Sequence, residues 1–372
     1  MSTRPLRIAM VAPPWFELPP QGYGGIEAVC AGLADALVAR GHEVTVIGAG
    51  RNGTRARFRR TYDTPPGARI GEPMPEVVHA AAAGRILAEL DADIVHDHSL
   101  AGPLLARGRD VPTVVTVHGP VTGEAGDYYR QLGDSVQLIA ISDAQRRTAP
   151  DLNWCATVHN AIDAEGFPFR EEKEDWVLFL GRCAPDKGMH LGIDAARAAG
   201  RKIVLAAKCT EPAETAYFET EIKPRLGPDT EWLGEVGGEQ KKDLLSRARC
   251  LLFPIQWEEP FGMVMIEAMA CGTPVVALRR GSVPEVVTCG VTGMVCNDPA
   301  ELADAINAAD AIDPAACRND VLTRFHPAAM AAGYEKAYRW ALAHADRRRA
   351  LSPRLTLTQI PAARDLLRAG SR

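Results

Sequence analysis

The sequence has no Cys-x-x-C pair, no apolar run of membrane-spanning length, no excess of positive charge and no Asp-x-Asp pair at the carboxyl end of a strand. Each absence removes a class of protein. The nine cysteines are scattered through 372 residues, so they read as reduced thiols and give neither a disulfide frame nor a zinc site. No segment approaches the ~20 apolar residues that cross a bilayer. A formal net charge of -5 provides no global field to draw in nucleic acid. The short apolar stretch Ile8–Ala12 meets Pro13-Pro14, a poor signal peptide, so a cytoplasmic location is expected. No metal and no cofactor are expected. His96-Asp97-His98 comes nearest to a metal site, because i and i+2 on a strand share a face. No further Cys, His or carboxylate stands near it at ligand spacing.

What the chain does have is alternation. Its hydrophobic content of 47% suffices for two cores of ordinary domain size. Strand-like and helix-like patterns follow one another throughout, which implies parallel sheets in an α/β protein. In the first half, strands are predicted over 7–12, 43–48, 94–98, 113–118, 136–141 and 156–158. Helices are predicted over 26–40, stopped by Gly41, and over 80–90. The arginine-rich stretch Arg51–Arg60 reads as a loop, open either to solvent or to an anionic acceptor or membrane surface. Near 160–175 the rhythm weakens, and Glu171-Glu172-Lys173-Glu174-Asp175 reads as a solvated linker. Strands resume over 176–181, 202–207, 231–233, 250–254, 274–277 and 293–295, with helices over 188–199 and 238–248 between them. Terminal helices start at Ala300 and are expected to end near Ala343. Two Rossmann-like domains in tandem around a cleft follow, over 1–165 and 166–334.

The most informative stretch is Glu258-Glu259-Pro260-Phe261-Gly262-Met263-Val264-Met265-Ile266-Glu267, followed by Cys271-Gly272-Thr273-Pro274. Gly262 opens a short helix, and the Cys-Gly-Thr-Pro run stops it ahead of a β-branched strand. Unpaired N–H groups at a helix start bind anions. Glu267 lies roughly 7.5 Å further along the axis, at 1.5 Å per residue. It would reach a diol adjoining a phosphate held at Gly262. A plain amphipathic helix end would carry two glutamates as well, but not the Pro-Phe-Gly and Cys-Gly-Thr-Pro flanks.

This stretch resembles the E-x7-E block of the retaining glycosyltransferases of family 4, which have the GT-B fold. Other blocks carry the same resemblance over roughly Arg7 to Val295. Gly22-Tyr23-Gly24-Gly25, with Glu27 behind it, resembles the family's glycine loop over the donor diphosphate; it lacks the G-x-G-x-x-G spacing of a dinucleotide fingerprint. Gly181-Arg182-Cys183-Ala184-Pro185-Asp186-Lys187-Gly188 resembles the G-R-x-x-x-x-K-G block. Thr116-Val117-His118-Gly119 resembles the position whose histidine contacts the donor sugar. Val158-His159-Asn160-Ala161-Ile162-Asp163 resembles the junction motif, with Ala161 where the family has glycine; that turn must then avoid positive φ. Gly281-Ser282-Val283-Pro284-Glu285 resembles a further segment and is assigned no chemistry.

The resemblance implies a GT-B architecture in which a C-terminal helix, about 335–372, crosses back to the first domain. It implies transfer of a hexose from a nucleoside diphosphate sugar, most often of uridine, to an acceptor hydroxyl with retention. Glu259 would contact the sugar and Glu267 the ribose. Arg182 and Lys187 would hold the diphosphate, since two fixed cations stabilise a charge that grows in the transition state. Backbone N–H groups at Gly24, Gly25, Gly262, Met263 and Val264 would add to this. Glu27, Asp97 and His98 are the acceptor-side candidates. Peripheral membrane contact and the oligomeric state stay open. The alternatives on this fold are a nucleotide-sugar epimerase, a phosphorylase, or a non-catalytic nucleotide-sugar-binding partner protein.

Overall fold

The computed structural model describes residues 4–22 and 24–351. Tyr23 and the tail from Ser352 onward, part of the expected crossing helix, lie outside the described residues. Among the described residues thirteen strands form two sheets, and every pairing between them is parallel. The first sheet contains β1 (Arg7–Val11), β2 (Glu43–Ala49), β3 (Arg57–Tyr62), β4 (Ile94–Asp97), β5 (Thr113–Val117), β6 (Gln137–Ala140) and β7 (Trp154–Thr157). Its order is β3-β2-β1-β4-β5-β6-β7. The second contains β8 (Trp176–Arg182), β9 (Lys202–Lys208), β10 (Thr230–Gly234), β11 (Cys250–Phe253), β12 (Val275–Leu278) and β13 (Gly293–Cys296). Its order is β10-β9-β8-β11-β12-β13. Both sheets thus start in the middle and wind outward in both directions. The order reverses between β1 and β4 and again between β8 and β11. Ligands of such sheets bind outside the carboxyl ends of the strands at that reversal.

Three sequence expectations need correction. The Arg51–Arg60 stretch contains a strand, not only a loop: Arg57–Tyr62 pairs in parallel with β2. As an edge strand it keeps its arginines largely in water, so it lacks the apolar run that marks a central strand. Those arginines are ion-paired within the chain: Arg51 with Glu17 at 3.2 Å, Arg59 with Glu89 at 2.6 Å and Arg60 with Asp63 at 3.2 Å. The run 171–175 is not simply solvated. The Lys173 ammonium donates to the carbonyls of Ser246 and Cys271 and to the Thr273 hydroxyl at 2.8–2.9 Å, and Glu174 accepts from Arg247. The linker is therefore docked on the second unit. Finally, the last helix does not stop near Ala343 but spans Pro327–Leu351. The Ala161 turn behaves as its side chain demands, since no described non-glycine residue has positive φ.

That last helix lies on the first sheet. Met330, Ala331, Tyr334, Ala337, Tyr338 and Ala341 pack with Ile8, Met10, Val44, Val46 and Ile94 and with the helix Gly25–Ala39 in one buried cluster. The helix Pro73–Glu89 covers the opposite face through Ala83 and Ile86. His96 pins the terminal helix. Its Nδ1 is 2.7 Å from the Tyr338 hydroxyl, and its Nε2 is 2.7 Å from Thr116 Oγ1, which meets the Tyr334 hydroxyl at 2.9 Å. Both ring nitrogens are engaged, which leaves this imidazole no lone pair for a metal. Tyr338→Phe should strand a fully buried imidazole nitrogen. The expected loss is about 1–3 kcal/mol of stability, read by denaturant unfolding; an unchanged midpoint would show that the pin carries no load.

Candidate functional site

The donor residues that the sequence predicts in the second unit lie at the carboxyl end of β8 and on the loops and helix that follow β8 and β11, whereas Gly24 and Gly25 lie after β1 in the first unit. Glycine lets the loops of the second unit meet. Gly188 has φ +69°, and a Cβ there would lie 2.0 Å from the Pro254 carbonyl oxygen. The loop after β8 can therefore lie backbone against backbone on the loop after β11, and the Gln256 N–H donates to the Asp186 carbonyl at 2.7 Å. This contact brings Lys187 Nζ to 2.6 Å from Glu259 Oε2, with both side chains about 15% exposed (15% and 14%). Trp257 completes the group: its indole N–H donates to the same carboxylate oxygen at 3.1 Å, and its ring lies 5.1 Å from the lysine nitrogen.

A second glycine holds the other side of the Glu259 loop. At Gly281, φ +50°, a Cβ would meet the Glu259 backbone at 2.2 Å. The Ser282 N–H donates to the Glu259 carbonyl at 2.9 Å, and its hydroxyl to the Phe261 carbonyl at 2.8 Å. Gly262 itself has φ +72° and caps the helix Met263–Ala270, as its predicted role requires. Three positions before that helix ends, Glu267 pairs with Lys241 Nζ at 2.7 Å. Arg182 is held between Asp186 and the buried Glu214, each at 3.7 Å. Lys208 turns to Glu211 at 3.4 Å. Ala206 and Ala207 are buried in β9.

The first unit offers a histidine pair. His98 Nδ1 and His118 Nε2 are 2.9 Å apart. Burial draws the His118 imidazole down to about 4, and burial with the two neighbouring rings holds His98 well below its ordinary value. Both are neutral at pH 7, so one ring donates and the other accepts. His98 Nε2 is buried without a partner. Asp97 is fully buried: Oδ1 accepts from the Ser99 N–H and hydroxyl at 2.9 and 2.7 Å. Burial pushes its carboxyl up to about 6. Gly24, φ +140°, has no room for a Cβ beside Pro20 at 2.8 Å, whereas one at Gly25 would meet open space. Glu27 is buried in the helix that follows, its Oε1 unpartnered.

The structure therefore brings Lys187, Glu259 and Gly262 into one group, and His98 with His118 into another. It leaves Asp97 facing Ser99 and Gly102. Sequence reasoning missed Lys241, Trp257 and Glu214, which partner the predicted residues, and it missed Glu76. Glu76 is buried, accepts from the Leu100 and Ala101 N–H groups at 3.2 and 3.3 Å, and has its carboxyl raised by burial. Among the described residues no group of histidine, cysteine and carboxylate side chains converges as a metal site, and no helix is long and apolar enough to cross a membrane.

Two doubly wound parallel sheets, with charged groups at the switch point of the second, define a tandem Rossmann-like α/β architecture, and sequence comparison gives the family. Residues 23–165 match the Glycosyltransferase Family 4 pattern and residues 163–313 match Glycosyl transferases group 1. The chain is 30% identical to the alpha-maltose-1-phosphate synthase of Mycobacterium tuberculosis, over 83% of this chain and 91% of that protein. Among solved structures, AviGT4, a glycosyltransferase involved in avilamycin A biosynthesis, is 28% identical, covers 91% of this chain and 98% of its own, and superposes with a TM-score of 0.71. The Anabaena protein Alr3699/HepE, solved in complex with UDP-glucose, shares the fold at 18% identity, with a TM-score of 0.69 over 90% of this chain and 99% of its own. The chain belongs to the GT-B glycosyltransferases of family 4.

Glu27 yields a pH test. Burial pushes its carboxyl up to about 7, the N–H groups of Glu27 and Phe16 hold it back, and the charge of Glu76 adds to the rise. A folded value above the unfolded one means that the folded protein binds this proton more tightly. The group's contribution is then fully present below the unfolded value of ~4.3 and is lost as pH rises through about 7. Glu27→Gln should melt above wild type at about pH 8, with the difference shrinking toward about pH 5. A difference that does not vary with pH would place the titration elsewhere.

Proposed function

We propose that the chain transfers a hexose from a nucleoside diphosphate sugar, with UDP as the carrier, to an acceptor hydroxyl with retention and without a metal. The observation that carries this reading is the Lys187–Glu259 contact beside Gly262, formed between the two loops at the β8/β11 switch point. The diphosphate would lie against Lys187, Arg182 and the backbone N–H groups at Gly262, Met263 and Val264, with those of Gly24 and Gly25 opposite. Glu267, oriented by Lys241, would accept from the ribose diol. Glu259, already held by Trp257 and Lys187, would meet the sugar ring, and His118 a sugar hydroxyl. The bond from the anomeric carbon to the phosphate oxygen breaks and the bond to the acceptor oxygen forms on the same face. The acceptor proton passes to the departing phosphate oxygen, so no side-chain base is required. A cytoplasmic site of action and a small-molecule or glycan-precursor acceptor belong to the same proposal. Glu27 and His98 stand on the acceptor side, with Asp97 behind them.

The test is proton NMR of the first product formed from UDP-hexose in excess chelator. Retained anomeric configuration and undiminished rate are expected. An inverted product, or activity restored only by added magnesium or manganese, would overturn the mechanism.

Lys187 and Arg182 face a charge that grows as the glycosidic bond breaks. Lys187→Ala and Arg182→Ala should each lower kcat on the order of 100-fold, and should raise the donor KM far less. A change confined to KM would make them simple anchors.

A further inference from the structure

Glu285 belongs to the segment to which the sequence assigned no chemistry, yet its carboxylate is turned out of its own unit. It accepts from the backbone N–H groups of Asp143 and Ala144, at 2.8 and 2.6 Å, at the carboxyl end of β6 in the first unit. His159, at the junction motif, lies 3.1 Å from its Oε2, and Arg147 lies 3.5 Å from its Oε1. All four partners belong to the first unit. The side chain is 16% exposed, so these contacts are only partly screened by solvent. Burial opposes the charged form, but His159 and the two N–H groups outweigh it and hold the carboxyl below its ordinary value.

The segment ahead of Glu285 is the one that grips the Glu259 loop. Ser282 donates to the carbonyls of Glu259 and Phe261, and the Gly281 N–H donates to Glu258 Oε2 at 2.7 Å. The Phe261 ring in turn lies 5.8 Å from the His159 ring. A short, tightly bonded span therefore joins the interface between units to the loop that carries Glu259.

We propose that Glu285 is a positioning residue that clasps the second unit onto the first and sets the Glu259 loop through Gly281 and Ser282 as it does so. The charged diphosphate anchors Lys187 and Arg182 lie in the second unit, and only the Gly24 and Gly25 N–H groups and His118 would reach the donor from the first, so donor binding leans on the clasp less than the chemical step does. That step also needs the acceptor-side residues, which all lie in the first unit. The kinetic half of this proposal rests on the transfer reaction proposed above; the structural half does not.

The experiment compares wild type, Glu285→Ala and Glu285→Gln by amide hydrogen exchange, small-angle scattering and steady-state kinetics with UDP-hexose. For Glu285→Ala, the Asp143 and Ala144 amides should exchange faster and the radius of gyration should rise. The kcat should fall about 10-fold or more, because small misplacements of reacting groups carry penalties of that order, with donor KM changed by less than about threefold. Glu285→Gln retains one acceptor oxygen and should recover part of each effect, which also guards against a folding defect in the alanine variant. Faster exchange at Asp143 and Ala144 with unchanged scattering and unchanged kcat would overturn the proposal and reduce Glu285 to a local cap. A wild-type chain that transfers no sugar from any nucleotide donor would sink the transfer reading, while exchange and scattering would still decide the clasp.

Discussion

The arrangement of the candidate donor site depends on backbone touching backbone on both sides of one loop. Gly188 presses on Pro254 at the start of the loop 254–262 and Gly281 on Glu258 and Glu259 further along it, and at either glycine a Cβ would sit inside the van der Waals surface of a neighbouring peptide. Both glycines also hold positive φ, so steric fit and dihedral preference select the same residue twice. Close approach on one side brings Lys187 to Glu259; close approach on the other lets Ser282 satisfy the Glu259 and Phe261 carbonyls. The charged pair is thus preorganised by contacts that involve no charge. A group held in this way has little conformational freedom left to lose when a ligand arrives.

The two units solve different electrostatic problems. The second collects cations and matches each with a carboxylate: Lys187 with Glu259, Lys241 with Glu267, Arg182 with Asp186 and Glu214. In the proposed reaction an incoming diphosphate would find positive groups already oriented, at the cost of competing with the resident acids. The first unit collects groups that burial keeps neutral near pH 7, namely His96, His98 and His118. Neutral imidazoles hydrogen-bond hydroxyls without holding an anion tightly, which would suit the sugar and acceptor hydroxyls proposed to meet His118 and His98.

Much of this was legible in the sequence, and the boundary of legibility has a physical cause. Central strands announce themselves as β-branched runs because both their faces are buried, and the glycine, glutamate and helix-stop pattern around Gly262 is local. The edge strand Arg57–Tyr62 escaped because water covers it and arginine is free to occupy it. The glycines at 48, 50 and 53 do have dinucleotide-type spacing, yet they open no helix; they pack against Leu18, Glu17 and Pro19 instead. Lys241, Trp257 and Glu214 could not be read as site residues, since each gains its meaning from a partner brought close by tertiary packing. The same holds for Lys173, whose ammonium finds the carbonyls of Ser246 and Cys271 only after the second unit has formed. Glu285 stood in a recognised block, but a single chain does not display which unit its carboxylate will face.

The terminal helix Pro327–Leu351 fills the face of the first sheet that Ile8, Val44 and Ile94 present. A growing chain leaves the ribosome amino end first, so the first sheet emerges long before the residues that complete its core. Until Tyr334 and Tyr338 arrive, that face is covered only in part, by the helix Gly25–Ala39, and His96 has no hydroxyl from them to bond. The first unit is therefore begun first and finished last. A cut between the two sheets would not release two intact halves, because the end of the chain already belongs to its beginning.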